Sequence, residues 1–237
     1  MNIYRKKIVL ASRDVNMHRL LRTSRLFEFM QEAAIHHTQE LGAGRELTLD
    51  KGILWVATMQ QARIERLPEY DEEVTLESWP GKTMHVLFPR YFRMLDGAGR
   101  CLVSASALWT LVDCESRKLV FPENCGVKIE GERTGCEPHL PAPVPRQAAD
   151  KHHSFQVPFS YVDINGHMNN TRYYDLAEDL CPAAARGDIP ALISAEYLGE
   201  LRLGDSVRVD WREDGRKYYF CGSSVKDAFR IVMDYRR

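Results

Sequence analysis

The sequence predicts an α+β protein in which a unit made of one helix beside an antiparallel sheet occurs twice. Three observations lead there. Helix-like segments stand near residues 23–42 and 170–181, each just after a short motif of Asp, Asn and His. Each segment is followed by several runs of strand character, and a proline-rich stretch without periodicity separates the two sets.

The first helix is expected to start at a Thr23 or Ser24 cap. It should carry Leu26, Phe29, Met30, Ala33, His37 and Leu41 along one stripe and stop near Gly42. Four runs rich in β-branched and aromatic residues follow: ILWVATMQQARIERL, EEVTLESWP, MHVLFPRYFRML and CLVSASALWTLVD. From Gly131 to His153, Pro138, Pro141, Pro143 and Pro145 predict a semi-extended linker. The second helix should start at Asn170 or Thr171, bury Tyr173, Leu176, Ala177 and Leu180, and stop before Pro182. After it come ALISAEYLGEL, SVRVDWRED, KYYFCGSSV and FRIVMDYRR, with turn signals at Gly204-Asp205, Asp214-Gly215 and Asp227. With any strand before each helix included, each half holds about five strands. The expected division is residues 1–130, a linker at 131–153, and residues 154–237.

Composition narrows the function classes. A hydrophobic content of 44% supplies a core, and a net charge of −1 argues against a nucleic-acid footprint. No stretch approaches the roughly 18 apolar residues that a membrane helix needs. The opening MNIYRKKIVLASRD has only IVLA as an apolar run, too short for a secretory h-region of about 7–15 residues, so a cytoplasmic chain is expected. Cys101, Cys114, Cys125, Cys136, Cys181 and Cys221 form no C-x-x-C pair, which suits thiols in a reducing compartment. The sequon at Asn169 is then not expected to be glycosylated.

The motif VDINGHMNN, residues 162–170, carries the chemistry. Read as extended chain, it places Asp163, Asn165 and His167 on one face. A calcium loop fails, because the fifth, sixth and twelfth positions are His167, Met168 and Tyr174. A zinc site lacks nearby ligands, and no metal or other cofactor is expected. Two readings stay open. Asp163 and Asn165 could simply shape the bend into the helix, since their side chains mimic backbone acceptors. Alternatively, His167 does acid–base work, Asp163 or Asn165 holds it, and the start of the next helix offers free N–H groups to an oxyanion, as a thioester carbonyl would need. No G-x-S-x-G elbow appears, so an activated water is the economical nucleophile. Asp14 to His18 has the same pattern, and Arg25–Phe29 matches Arg172–Leu176 with a two-residue slip.

FMQEAAIHHT, LWVATMQQARIERLPEYDEEVTLESWPG, VDINGHMNNTRYYD and AEYLGELRLGDSV, in this order, resemble the acyl-acyl carrier protein (acyl-ACP) thioesterase family. The resemblance covers most of the chain. It implies two tandem hotdog domains, each a long helix wrapped by an antiparallel β-sheet, with catalysis in the second. It also implies that Asp163, Asn165 and His167 are catalytic, together with Glu200, three residues beyond Tyr197. Leu201 stands where plant members have a cysteine, which counts against a cysteine acyl-enzyme. The implied substrate is a fatty acyl chain on the phosphopantetheine arm of ACP, hydrolysed to free fatty acid without a cofactor. An acyl-CoA thioesterase of the hotdog superfamily and a non-catalytic acyl-binding protein are the alternatives. Monomer and homodimer are both open. The resemblance places Trp55 at the acyl groove, with core packing as the alternative for a Trp on a strand, and of His36 and His37 one should be packed and one exposed.

Overall fold

The computed structural model describes residues 3–131, 135 and 137–236. Strand β1 (Tyr4–Val9) leads to helix α1 (Thr23–Glu40), then to β2 (Ile53–Ile64), β3 (Glu73–Pro80), β4 (Phe88–Leu95) and β5 (Cys101–Asp113). A short helix α2 (Pro122–Cys125) ends this half. The second half runs β6 (Lys151–Gln156), α3 (Arg172–Asp179), α4 (Pro182–Ala185), β7 (Pro190–Tyr197), β8 (Ser206–Asp214), β9 (Lys217–Ser223) and β10 (Asp227–Tyr235). Strand β6 thus opens inside the stretch read as linker.

All ten strands form one sheet in the order β1-β3-β4-β5-β2-β7-β10-β9-β8-β6. Each half has the same internal order, one the reverse of the other, so a pseudo-twofold axis passes through the antiparallel β2–β7 seam, where Gln61 faces Ser194. Alternation in the strands puts one face against the helices. Ala105, Ala107, Ile193 and Ala195 from both halves lie in one buried cluster with Leu26, Phe27 and Met30 of α1 and Tyr174 of α3. Phe27 and Tyr174 stack across the axis at 4.0 Å. Below them, Gln60 Oε1 accepts from Tyr197 Oη at 2.6 Å and from Tyr174 Oη at 3.1 Å, which satisfies buried hydroxyls at the seam. The proline-rich segment crosses the opposite face. His139 O accepts from Ser106 Oγ at 2.7 Å, and Val144 N donates to Glu196 Oε2 at 3.1 Å.

One expectation about the helices changes. Thr23 and Ser24 do not cap α1 from outside; both are buried within it, and Thr23 donates its hydroxyl to Glu178. Burial against the other half gives that hydroxyl a better acceptor than its own helix. The halves are also unequal: α1 has 18 residues and α3 only 8, because Pro182 cannot continue the ladder and starts α4 instead. Asp227 is the first residue of β10 rather than part of the turn before it.

Candidate active site

Residues 162–168 are a tight turn, not extended chain. Val162 and Met168 bridge its ends, Asp163 N donates to His167 O at 2.9 Å, and Gly166 N to Asp163 O at 3.0 Å. Asp163 Oδ1 accepts from Asn165 N at 2.8 Å, an Asx turn that fixes the bend, and Gly166 supplies the left-handed φ of 77°. Alternation therefore did not set where these side chains point. Ile164 and Asn165 stand exposed at the tip, and His167 lies at the base.

One backbone bond brings the next residue in. Met168 N donates to Leu201 O at 2.7 Å, both side chains being buried, so their neighbours His167 and Glu200 are held side by side. His167 Nε2 is 3.1 Å from Glu200 Oε2. Leu201 points into the core.

A third group was not found from the sequence. Arg117, in the turn after β5, reaches over from the first half. Its Nη1 is 3.1 Å from Glu200 Oε1, and its Nη2 is 3.1 Å from His167 Nε2. Asp113 Oδ1 shapes that turn by accepting from Ser116 N at 2.7 Å, and Arg117 sits at φ 57°. The turn signal DCES was readable, but which residue of the other half the arginine meets was not.

Burial pushes the His167 imidazole below its ordinary value; Glu200 opposes the shift, and Arg117 and Arg202 add to it. Neutral imidazole is therefore the dominant form near neutral pH. Its Nε2 faces both a cation and a carboxylate, so one proton on that atom satisfies Glu200, and its loss satisfies Arg117.

The start of α3 offers less than expected. Asn169 Oδ1 accepts from Thr171 N at 2.9 Å, Asn169 O from Arg172 N at 2.9 Å, Asn170 O from Tyr173 N at 3.3 Å and Thr171 O from Tyr174 N at 3.2 Å. These four N–H groups are consumed inside the cap. That of Asn170, which lines the cavity, has no acceptor among the described residues.

His167, Asp163, Asn165, Glu200 and Arg117 line the mouth of a cavity of about 570 Å³. Its interior is walled by Ala34 of α1, Ile53, Trp55 and Ala57 of β2, Phe88 of β4 and Trp109 of β5, and the exposed Ile35 of α1 also lines it. Trp55 thus lies on the groove, edge-on to Phe88 at 4.8 Å. His37 is buried against Arg90 and His36 is exposed. His18 lies apart from this group, with Nε2 3.0 Å from Ala185 O. No cluster of three His, Cys, Asp or Glu groups among the described residues is placed to hold a metal. The five described cysteines are free thiols, and Cys136 lies outside the described residues. No described helix is long and apolar enough to cross a membrane.

Two helix-bearing halves sharing one sheet, with a cavity between α1 and the seam, define a tandem hotdog protein. Sequence profiles sharpen that: the acyl-ACP thioesterase N-terminal domain matches residues 1–124, and the C-terminal domain matches residues 145–227. The chain belongs to the acyl-ACP thioesterase family. It is 24% identical over 186 residues to a palmitoyl-acyl carrier protein thioesterase of Arabidopsis thaliana, covering 72% of this chain and 45% of that protein. A dodecanoyl-[acyl-carrier-protein] hydrolase of Cinnamomum camphora is also 24% identical, over 201 residues, covering 76% of this chain and 51% of that protein. The chain spans about half the length of these curated relatives. Among solved structures, a putative oleoyl thioesterase from Lactobacillus plantarum superposes with a TM-score of 0.85 at 21% identity, over 99% of this chain and 96% of that one. The 12:0-ACP thioesterase from Umbellularia californica gives 0.81 at 19%, over 99% and 97%. At these identities the structures establish the fold.

Proposed function

We propose that the chain hydrolyses fatty acyl thioesters carried on acyl carrier protein, releasing free fatty acid and ending chain extension. The observation that carries this reading is the 3.1 Å contact of His167 with Glu200 at the mouth of an apolar-walled cavity.

In this mechanism the thioester lies across the mouth with its acyl chain inside. A water beside Glu200 loses a proton to the His167–Glu200 pair while its oxygen bonds to the carbonyl carbon, and the C=O electrons move onto the carbonyl oxygen. The Asn165 side-chain amide and the Asn170 N–H are the donors for that oxyanion. The C–S bond then breaks, and the leaving sulfur takes the proton back from the pair. Fatty acid and the free thiol of the carrier result. Asp163 fixes the turn that aims His167, and Arg117 holds Glu200 in place and opposes protonation of the imidazole.

Thiol release from matched acyl-ACP and acyl-CoA ladders tests this. Turnover with higher kcat/KM on ACP is expected. Faster cleavage of acyl-CoA would reassign the carrier, and a folded protein inactive on every thioester would overturn the hydrolase reading.

A further inference from the structure

Arg90 is the least explained charge in the protein. It projects from β4 at 4% exposure and forms part of the cavity wall on the α1 side. Its Nη1 lies 3.2 Å from His37 Nδ1 and donates to Ser78 Oγ at 3.0 Å, while Nη2 donates to Thr38 Oγ1 at 2.9 Å. All three partners are neutral. Burial lowers the Arg90 guanidinium to about 9, and burial together with that cation lowers the His37 imidazole to about 4. Among the described residues no carboxylate pairs with Arg90, and only the last turn of α1 offers partial negative charge. Three of the five N–H donors of a guanidinium are used.

A buried cation without a counter-charge is costly, and evolution usually removes it or gives it a purpose. Its surroundings are polar as well. Gln31 and Thr38 line the same side of the cavity, and the Gln31 amide has no partner among the described residues. His37 Nε2 is buried and also unpartnered. Arg90, Gln31 and Thr38 therefore share the cavity lining with the apolar Trp55, Phe88 and Ile53. A purely hydrocarbon chain has nothing to offer Arg90.

We propose that the cavity accepts acyl chains carrying an oxygen function away from the thioester, a carboxylate foremost, and that Arg90 binds it. The proposal rests on the acyl-thioester reading above and names the substrate class of that site. The thioester end is held at His167 and Glu200, and the far oxygen meets the guanidinium.

The test compares CoA thioesters of equal chain length ending in methyl, hydroxyl or carboxylate. At some length an oxygenated chain should be cleaved with kcat/KM at least about tenfold above its methyl counterpart. Arg90→Met should erase that ratio, and Arg90→Lys should retain part of it. Preference for the methyl chain at every length, or a ratio unchanged in Arg90→Met, overturns the proposal. If Arg90→Met does not fold, inhibition of the unaltered protein by free dicarboxylic acids against monocarboxylic acids of equal length decides the matter. If no thioester is cleaved, the hydrolase reading falls. Thermal stabilisation of the protein by the dicarboxylic acids then tests the cavity alone: stronger stabilisation supports the Arg90 site, and an equal or weaker effect sinks it.

Discussion

Residues 15–21 and 162–168 form the same turn on opposite sides of the pseudo-twofold axis, and their comparison separates what the fold supplies from what the side chains supply. Asn16 N donates to Leu20 O at 2.8 Å as Asp163 N does to His167 O. His18 N donates to Asn16 Oδ1 at 2.9 Å as Asn165 N does to Asp163 Oδ1. Arg19 takes φ 63° where Gly166 takes 77°. Leu21 N donates to Pro68 O at 2.9 Å as Met168 N does to Leu201 O. It follows that Leu20 and Leu67 occupy the places of His167 and Glu200. The scaffold brings two side chains together in both halves. In the first the pair is apolar and Leu67 is buried; in the second it is titratable and opens on the cavity.

The largest test of this comparison is a pair of substitutions at matched positions. His167→Ala or Glu200→Gln should lower kcat/KM by about 10²–10⁴-fold with the fold intact. Leu67→Ala should instead cost about 2–5 kcal/mol of stability by leaving a cavity, with turnover of the folded protein retained. Denaturant titration and thiol release separate the two, and a catalytic loss of similar size at Leu67 would break the comparison.

Arg117 has no such symmetric duty, since it crosses from one half to serve the other. Arg117→Ala should reduce kcat about tenfold to a hundredfold by loosening Glu200. The pH–rate profile gives the sharper readout. The arginine opposes protonation of His167, so its removal lets the imidazole hold a proton to higher pH, and the acidic limb should move upward. An unmoved limb would show that Arg117 does not act through His167.

Between the halves, Glu178 of α3 accepts from Thr23 of α1, and burial raises its carboxyl from 4.5 to about 7. The position matched to it in α1, at the offset that relates the two turns, is Gln31, which does not titrate. Between about 4.5 and about 7 the unfolded chain has lost this proton while the native protein keeps it. Stability should therefore fall as pH rises across that window and level off above it. Glu178→Gln should flatten the slope in urea titrations at several pH values; an unchanged slope would assign it to other groups.

The smallest effects belong to the turn tips. Gly166→Ala meets no atom within 4 Å, so it should cost only about 1 kcal/mol for the left-handed backbone. Arg19→Gly should raise stability by no more than about 1 kcal/mol. Calorimetric Tm values of the two variants check the opposite signs.

Much of the architecture was readable because burial imprints period on sequence. The strand runs, the α1 stripe and the repeated order of elements all follow from one face of each element meeting the core. The motif was read less well. The letters of Asp14–His18 match those of Asp163–His167, yet the hydrogen bonds pair Asn16 with Asp163 and Leu20 with His167. That register agrees with the pairing of Arg25 and Arg172, so no two-residue slip is needed. Identical letters outweighed backbone equivalence because Asp, Asn and His all suit turns at several positions.

Family resemblance pointed to Glu200; by itself the sequence determined that there are two like halves, where most of the helices and strands lie, and that Asp163, Asn165 and His167 are candidates for chemistry. Those features depend on local propensity, periodicity and side-chain type, which each stretch carries with it. Only the tertiary structure decided that His167 touches Glu200, that Arg117 joins them, that the helix start spends the N–H groups of residues 171–174 within its own cap and leaves that of Asn170 without an acceptor among the described residues, and that Arg90 is buried with no carboxylate partner among them. Each of those depends on a distance between residues far apart in the chain, and such distances are set by how the two halves share one sheet.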